Sequence, residues 1–249
     1  MEFSGKTALI TGSGAIGGLG HAVARNLAAG GANVVITGTD VERGARVVDD
    51  VQAGMGSSAG IVRFVAADLA YPAAVEQLVE DAGAVNIFIN NASVVPLSPT
   101  ADQDAATYDA AFTVNVRAPF LLTALLAPKM AANGGGSIVN VSSTAARLGM
   151  PPFAVYGATK AAIESLTRTW AAEFATSNVR VNAVAPGPMR TAKVVGAMGP
   201  ALDDIGMTTA LKRTADPAEV AQVIAFLASD QAGYVTGAIV AADGGRTAI

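Results

Sequence analysis

The amino-acid sequence predicts an α/β fold, a doubly wound parallel sheet of about seven strands with helices on both faces. Short segments rich in β-branched residues alternate with longer helical patterns along the whole chain, as in successive βαβ units. The composition agrees, because the 249 residues are 51% hydrophobic and only 14% charged, which suits strands buried on both faces. No linker, repeat or low-complexity tract interrupts the pattern, so we expect a single domain over residues 1–249.

The elements follow from the hydrophobic pattern. Segments that are apolar with little alternation are predicted strands, since a strand covered on both faces has no polar side. These strands are residues 7–11, 33–37, 61–66, 87–90, 137–141, 179–184 and 238–241. The predicted helices are residues 18–29, 41–53, 72–81, 105–132, 155–176 and 217–228.

Two helices carry local signals. Asn178 follows the helix at 155–176 and is predicted to end it in the left-handed conformation that Asn tolerates. Pro119 lies inside the helix at 105–132 and has no N–H, so the carbonyl of Asn115 loses its helical donor. The residues alone leave open whether this is a simple kink or a carbonyl with a function.

Charge and composition exclude several classes of function. The net charge is −4 and no basic run is present, which argues against nucleic acid as a partner. There is no Cys, so disulfides and thiolate metal sites are excluded, and no His/Asp/Glu cluster has metal-ligand spacing. The single His, His21, is expected to be a solvated helix residue. With no leader pattern and no uninterrupted apolar run of about 20 residues, we expect a soluble cytoplasmic protein with no membrane partner.

A glycine-rich turn joins the first predicted strand to the first predicted helix. Its glycines allow backbone N–H groups to approach a pyrophosphate at the helix N-terminus, which predicts dinucleotide binding on a Rossmann-type sheet. The residues expected to contribute are Gly12, Ser13, Gly18 and Leu19.

The end of the second strand bears on the choice between NAD and NADP. Gly38 occupies the position directly after the strand, where an acid would bind a ribose 2′-hydroxyl. Thr39 can donate to a 2′-phosphate, whereas Asp40 can contact a 2′-hydroxyl or simply cap the next helix. No Arg or Lys lies in this turn, and the prediction is NAD(P)(H) with NADP favoured.

Tyr156 and Lys160 are four positions apart in a predicted helix, so their side chains emerge on one face. A positive charge about 5 Å away would lower a Tyr pKa by roughly 2 units and make the phenol a usable acid or base. This spacing alone favours a chance pair, an aromatic facing the core beside a solvated Lys.

Several motifs occur together in one order, and with them the chain resembles the short-chain dehydrogenase/reductase family along essentially its whole length. The motifs are Thr11-Gly12…Gly18-Leu19-Gly20, Asp68-Leu69, Asn90-Asn91-Ala92, Asn115, Ser142-Ser143, Tyr156-x-x-x-Lys160, Pro186-Gly187 and Asp243-Gly244-Gly245. The resemblance departs at two places: five residues instead of three follow Gly12 before the Gly-x-Gly pair, and Ser93 replaces a Gly.

The resemblance implies a catalytic set. Tyr156 would be the acid/base, and Lys160 would lower its pKa and bind the nicotinamide ribose. Ser143, thirteen residues before Tyr156, would hydrogen-bond the substrate carbonyl, in preference to Ser142. The main-chain carbonyl of Asn115 would bind a proton-relaying water, which favours a functional reading of Pro119.

The resemblance also implies cofactor contacts. Asp68 and Leu69 would flank the adenine, and Asn90 and Ala92 would line the nucleotide. Pro186, Gly187 and Thr191 would meet the nicotinamide end.

The expected reaction is reversible hydride transfer between NAD(P)H and the carbonyl or secondary alcohol of a small, fairly apolar substrate. Residues 189–212, Met-rich and broken by Gly and Pro, would form a mobile lid over it. The first alternative is a 3-oxoacyl-[acyl-carrier-protein] reductase, but the basic residues expected to dock the acidic carrier are missing after Lys129 and after Lys160. The second is a non-catalytic dinucleotide sensor or scaffold. The resemblance further implies a homotetramer, or a homodimer, paired through residues 105–132 and 155–176.

Overall fold

The computed structural model describes residues 2–56 and 60–249. In that part of the chain seven parallel strands form one sheet, in the spatial order β3-β2-β1-β4-β5-β6-β7. The strands are β1 Thr7–Ile10, β2 Asn33–Gly38, β3 Val62–Ala66, β4 Ile87–Asn90, β5 Gly136–Val141, β6 Val179–Pro186 and β7 Ile239–Ala242. The predicted doubly wound parallel sheet is therefore confirmed, with strand ends shifted by one or two residues.

Helices cover both faces of the sheet. The helices are α1 Leu19–Ala29, α2 Val41–Ala53, α3 Pro72–Ala82, α4 Ala105–Phe112, α5 Ala118–Ala132, α6 Ala154–Phe174, α7 Ala192–Met198, α8 Ala201–Gly206 and α9 Pro217–Ala228. Two of these, α7 and α8, lie in the predicted lid segment, residues 189–212.

Successive residues of β1 pack into two different hydrophobic cores, one on each face of the sheet. Ala8 and Ile10 pack in the cluster that contains α1, α2 and α9, whereas Leu9 packs in the cluster that contains α3, α5 and α6. Because side chains alternate across a strand, both faces of β1 must be covered, and its apolar sequence TALI meets that need. Ile10 pairs with Ile36 of β2 and Ile89 of β4, so three strands end together at one edge.

The order of the sheet reverses between β1 and β4, and a crevice opens at such a point beyond the carboxyl ends of the strands. The loops that follow β1, β2, β3 and β4 all meet there. This crevice positions the candidate site.

The helix predicted over residues 105–132 is interrupted by a π-helical segment, Thr113–Arg117. In this segment the Ala118 N–H donates to the carbonyl of Thr113, five residues back. Pro119 explains the change, because it supplies no N–H to the turn before it. The result is a widened turn centred on Asn115 rather than a simple kink.

The helical stretch Ala105–Ala132 is, among the described helices, the one long and apolar enough to cross a membrane. Leu122, Leu126 and Met130 on this stretch are buried in the core. Core helices pass the same test of length and composition, so the absence of a membrane partner stays a prediction.

Two predictions about single residues have opposite outcomes. Asn178 adopts the left-handed conformation, with φ 59° and ψ 28°, as predicted. The prediction that His21 is solvated is wrong, since the residue is only 7% exposed. Its Nδ1 accepts from the Gly17 N–H at 3.3 Å and its Nε2 contacts Asp50 at 2.7 Å, so the ring ties the glycine-rich turn to α2.

Candidate active site

A cleft of about 610 Å³ lies at the carboxyl edge of the sheet. Its walls are the loops after the first four strands together with the segment that follows β6. The predicted cofactor residues that line it are Gly12, Gly18, Leu19, Thr39, Asp68, Leu69, Ala92 and Thr191. A site predicted from scattered motifs is thus brought together in one cleft by the strand order.

The turn after β1 requires glycine at its first position. Gly12 has φ +66°, and a Cβ there would lie 2.5 Å from the Cα of Ala92. Only glycine allows the loops after β1 and β4 to approach this closely. Asn91 ties the same loops together, since its Nδ2 donates to the carbonyls of Thr11 and Gly12 at 2.9 and 3.0 Å.

The first turn of α1, which follows the lengthened glycine-rich loop, has backbone N–H groups that no helical carbonyl accepts. The Ala22 N–H makes the first intrahelical bond, to Gly18, so the N–H groups of Leu19, Gly20 and His21 have no helical acceptor. These groups and the helix dipole fit a pyrophosphate. The Gly18 N–H, by contrast, is already bonded to the carbonyl of Ala15.

Ser13, a predicted cofactor residue, lies outside the cleft. It is only 1% exposed, its Oγ donates to the carbonyl of Ile10 at 2.9 Å, and its N–H donates to Thr37. Ser13 therefore joins β1 to β2 instead of facing a ligand, because a polar group buried at this depth must find a partner inside the protein.

Asn90, Pro186 and Gly187 also lie away from the cleft lining. The Asn90 amide donates to the Asn140 side chain at 3.0 Å in the core. Pro186 ends β6 opposite Ala242, and the Gly187 N–H donates to the carbonyl of that same residue. Pro186 and Gly187 are not among the residues that line the cleft, whereas Thr191, which caps α7, does line it.

The side chain of Asn115 connects the cleft wall to α6. Its Oδ1 accepts from the Val94 N–H at 2.8 Å, and its Nδ2 donates to the Val94 carbonyl at 2.7 Å. The same Nδ2 donates to Thr159 Oγ1 at 3.1 Å, and the Thr159 hydroxyl donates to the carbonyl of Tyr156. One buried amide therefore holds the loop after β4 and the first turn of α6 at a set distance.

The pKa of Tyr156 is subject to opposing influences. Burial raises the pKa of its phenol, while side-chain hydrogen bonds with Ser143 and Ser93 lower it. Ser143 Oγ also accepts from the Ala145 N–H at 3.1 Å, which orients this hydroxyl at the end of β5. Neither the sequence nor the resemblance indicated Ser93, and its place one residue after Asn90-Asn91-Ala92 was the available signal.

The ammonium of Lys160 is buried and hydrogen-bonded inside the protein. Its Nζ donates to the Val141 carbonyl at 2.7 Å and lies 5.6 Å from the centre of the Tyr156 ring, over the ring face. In this arrangement burial is the largest influence on the pKa of Tyr156 and raises it. Burial likewise lowers the pKa of Lys160 to about 8.

Lys160→Met is expected to stabilise the cofactor-free protein by about 3 kcal/mol at neutral pH, since the pKa of Lys160 falls from 10.5 to about 8 and one unit corresponds to about 1.4 kcal/mol. The folded state carries this buried charge at a cost that is full below pH 8 and shrinks as the pH rises from about 8 towards 10.5. Urea unfolding at several pH values measures the gain, which should decline above pH 8. A gain that does not depend on pH would contradict this explanation.

The cleft fits a dinucleotide. It combines the donors at the α1 N-terminus, a close glycine turn and a groove between β2 and β3 that contains Thr39, Asp68 and Leu69. In residues 2–56 and 60–249 no group of three or more His, Asp or Glu side chains is arranged to hold a metal ion.

The lid segment is docked on the lengthened turn. The Ala192 N–H donates to the carbonyl of Gly17 at 3.1 Å, and Gly17, at φ +75°, packs against the Ala192 side chain. Arg190 forms an ion pair with Asp203, which joins the start of the segment to α8.

Comparisons with known proteins agree with this geometry. A family model described as enoyl-(acyl carrier protein) reductase matches residues 14–247. An uncharacterised oxidoreductase of Thermotoga maritima is 37% identical over 100% of both chains. A 3-oxoacyl-[acyl-carrier-protein] reductase of the same organism is 36% identical, covering 98% of this chain and 99% of its own. A cis-4-hydroxycyclohexanecarboxylate dehydrogenase of Sinomonas cyclohexanicum is 37% identical, covering 99% and 98%.

Solved structures match as closely. A short-chain dehydrogenase/reductase family protein superposes with a TM-score of 0.92 at 46% identity over 100% of both chains. A Beutenbergia cavernae protein solved with NADP bound at low occupancy has a TM-score of 0.90 at 32% identity, covering 99% and 98%. The relatives are dehydrogenases and reductases, and they support a nicotinamide dinucleotide as cofactor. The chain belongs to the short-chain dehydrogenase/reductase family and is an oxidoreductase that acts on alcohol and carbonyl groups.

Proposed function

We propose that this oxidoreductase interconverts a carbonyl and a secondary alcohol of a small, fairly apolar substrate, with Tyr156 as acid/base. The observation that carries the proposal is the buried ammonium of Lys160, which lies over the ring of Tyr156 at 5.6 Å from the ring centre. Screening purified protein with NADH, NADPH and a panel of ketones and alcohols tests it. Absence of turnover across that panel with both cofactors would overturn it.

Each side chain has a separate task in the proposed reaction. During oxidation Tyr156 accepts the hydroxyl proton of the substrate, and during reduction it returns a proton to the carbonyl oxygen. The Ser143 hydroxyl donates to that oxygen as negative charge develops on it. The bound nicotinamide supplies or accepts the hydride.

Lys160 and Asn115 serve the proton path in this proposal. Lys160 places a charge beside the phenol and would bind the ribose. The π-helical turn around Asn115 leaves its main-chain carbonyl to hold a proton-relaying water.

A second cavity supports an apolar substrate. It measures about 720 Å³, and its described lining consists of residues 98–100, 145, 146 and 148–154 and the first turns of α6, without a charged side chain. Phe153 on its wall lies 6.1 Å from Tyr156, centroid to centroid. A substrate carbonyl at Tyr156 would therefore have an apolar surface next to it.

A 3-oxoacyl-[acyl-carrier-protein] reductase is the second candidate, favoured by the 36% identical relative of that name. A docking surface for an acidic carrier needs free cations. The Lys129 ammonium, the cation in the expected region, is paired with Glu80 at 2.7 Å. Turnover of 3-oxoacyl groups on the carrier at much lower KM than of the free thioester would establish this alternative.

We propose NADP rather than NAD as the cofactor because the carboxylate of Asp40 is already hydrogen-bonded to Arg43. Its carboxylate accepts from the backbone N–H of Arg43 at 2.9 Å and from Arg43 Nε at 2.8 Å, and the backbone bond holds its pKa below the ordinary value. Asp40 thus caps α2, which leaves Gly38 and Thr39 at the ribose end without an acidic competitor for a 2′-phosphate.

Gly38→Asp is expected to shift the preference between the cofactors towards NAD(H) about tenfold or more, because the new carboxylate repels a 2′-phosphate and can bind a 2′-hydroxyl. A Cβ at Gly38 meets Gly14 Cα at 3.5 Å, an ordinary contact, so the variant should fold. Kd values for NADH and NADPH measure the shift. Gly38→Asn is the matched neutral control, and an equal shift in both variants would argue against the charge effect.

A homotetramer or homodimer in the cytoplasm is also proposed. Exposed aromatic residues lie on two separate regions, Tyr108 and Phe120 on α4 and α5, and Phe226 and Tyr234 near the C-terminal strand. Burial of such patches between copies of a chain is a common cause of association.

A further inference from the structure

The lid segment, residues 189–212, brings a cation to the dinucleotide cleft. Lys193 lines this cleft, and among the described residues of the cleft wall it is the one cation, while Asp68 is the one acid. The Asp68 carboxylate accepts from the Ala70 N–H at 3.0 Å, at the end of the cleft expected to hold the adenine. Because the glycine-rich turn contains no Arg or Lys, the positive side chain of the cleft comes from the lid.

The place of Lys193 in the cleft is set by the residue before it. The Ala192 N–H donates to the carbonyl of Gly17 at 3.1 Å, and a Cβ at Gly17 would lie 3.0 Å from the Cβ of Ala192. One residue separates Gly17 from Leu19, the first residue of α1, whose N–H has no helical acceptor. The backbone at Lys193 is therefore held beside the N–H groups that fit a pyrophosphate.

Lys193 differs from the other two cations of the lid. Arg190 is paired with Asp203, and Lys212 Nζ donates to the Met207 carbonyl at 3.2 Å. The ammonium of Lys193 forms no ion pair with any carboxylate in residues 2–56 and 60–249, and the residue is exposed. Its charge is thus available to an anion bound in the cleft.

Lys193 also occupies an unfavourable position in its own helix. It is the second residue of α7, which begins at Ala192 and has no acidic residue in its first turn. A positive charge near a helix N-terminus opposes the helix dipole, so the stability of α7 does not explain a lysine there. An anion bound at the neighbouring glycine-rich turn would supply the negative charge that this end of α7 lacks.

We infer that Lys193 binds the pyrophosphate of the nicotinamide dinucleotide, as a cation that the lid contributes to the glycine-rich turn. This role deepens the proposed function and rests on it, because it requires a nicotinamide dinucleotide as the cofactor. The ammonium ends a flexible four-carbon stem and can donate to phosphate oxygens, in addition to the N–H groups at the start of α1.

The position of Lys193 favours the pyrophosphate over the 2′-phosphate of NADP. A 2′-phosphate is expected at the end of β2, where a Cβ at Gly38 would lie 3.5 Å from the Cα of Gly14. Gly14 lies early in the glycine-rich turn, whereas Gly17, which contacts the lid, lies at its end next to α1. Since NADH and NADPH share the pyrophosphate, Lys193 should affect both cofactors equally.

The first test measures affinity in the absence of substrate. Lys193→Met is expected to weaken the binding of NADH, NADPH and ADP-ribose by about tenfold each, the scale of one hydrogen bond to a charged group. ADP-ribose contains the pyrophosphate but neither the nicotinamide nor a 2′-phosphate. Isothermal titration calorimetry gives the three Kd values.

Two variants are the controls for this test. Lys193→Arg keeps the positive charge and should bind all three ligands within about twofold of the wild type. Lys212→Met removes a lid cation that lies outside the cleft lining and should leave all three Kd values unchanged.

A second pair of measurements separates ligand binding from a structural role. Salt screens an exposed ammonium, so the difference in Kd between the wild type and Lys193→Met should narrow as ionic strength rises from about 0.1 M to about 1 M. Thermal unfolding without cofactor should show no loss of stability in Lys193→Met, because the variant removes a charge that opposes the dipole of α7. A difference in Kd that salt does not change, or a destabilised free protein, would contradict the inference.

The three ligands assign the cation to one part of the cofactor. Equal weakening for all three supports the inference, and in a protein without turnover it would count against the proposed reaction alone. Weakening for NADPH only would assign Lys193 to the 2′-phosphate, and weakening for both cofactors but not for ADP-ribose would assign it to the nicotinamide end. Either result overturns the inference, as does unchanged affinity for all three. Wild-type protein that binds none of them would overturn the cofactor as well.

Discussion

Tyr156→Phe is expected to lower kcat/KM for carbonyl reduction by about 10³- to 10⁴-fold while changing cofactor affinity little. The substitution removes one oxygen and leaves the ring, which packs beside Phe153 with centroids 6.1 Å apart. General acid–base catalysis is worth about 10²- to 10⁴-fold, and Tyr156 is the group that exchanges the proton in the proposed reaction. Steady-state kinetics and calorimetric titration of the cofactor measure the two effects.

Tyr108→Phe is the matched control for this variant. Tyr108 is half-exposed on α4, stacks on Phe112 with ring centroids 4.8 Å apart and lies outside the cleft lining. Its loss of a hydroxyl should leave both kinetics and binding unchanged. Turnover retained in Tyr156→Phe would end the proposed mechanism, whereas loss of cofactor binding together with turnover would indicate a structural role for the hydroxyl.

Asn115→Leu is expected to destabilise the protein by about 2–4 kcal/mol and to lower kcat by about 100-fold. Leucine has a similar size but leaves the N–H and carbonyl of Val94 without their partners at 2.8 and 2.7 Å. The Thr159 hydroxyl also loses a donor. Both walls that face Tyr156 would then move, which lowers activity beyond the loss of stability.

Two further variants test whether the hydrogen bonds of the Asn115 amide cause these effects. Asn115→Asp keeps the acceptor for the Val94 N–H but removes the donors to Val94 and Thr159. It should fold better at low pH, where the carboxyl is protonated and can donate. Asn133→Leu, at the exposed end of α5, is the control and should change urea stability by less than about 0.5 kcal/mol. Wild-type stability and turnover in Asn115→Leu would show that the amide is dispensable.

Parts of the site were predictable because their signals are local. The turn at Gly12 needs glycine for steric reasons that any strand–turn–helix of this kind shares, and the left-handed cap at Asn178 is set by its own backbone preference. The spacing of Tyr156 and Lys160 likewise follows from helix geometry. These predictions required no knowledge of distant contacts.

The features that the sequence did not reveal have the opposite origin. Ser13 and His21 face inward because partners far along the chain, Thr37 and Asp50, complete their hydrogen bonds. Lys160 donates to the carbonyl of Val141 on β5, so burial sets its pKa, which no spacing within α6 could indicate. Each depends on a pairing between elements that no local pattern contains.

The sequence by itself determined the α/β class, the seven strands, the glycine turn and the family, since hydrophobic period, steric need and ordered motifs are carried by neighbouring residues. The tertiary structure decided which polar groups face the cleft and which form hydrogen bonds inside the protein. It placed the amide of Asn115 between Val94 in the loop after β4 and Thr159 on α6, where it holds the two segments together. Those arrangements arise from strand order and buried hydrogen bonding, which act between residues that are tens of positions apart.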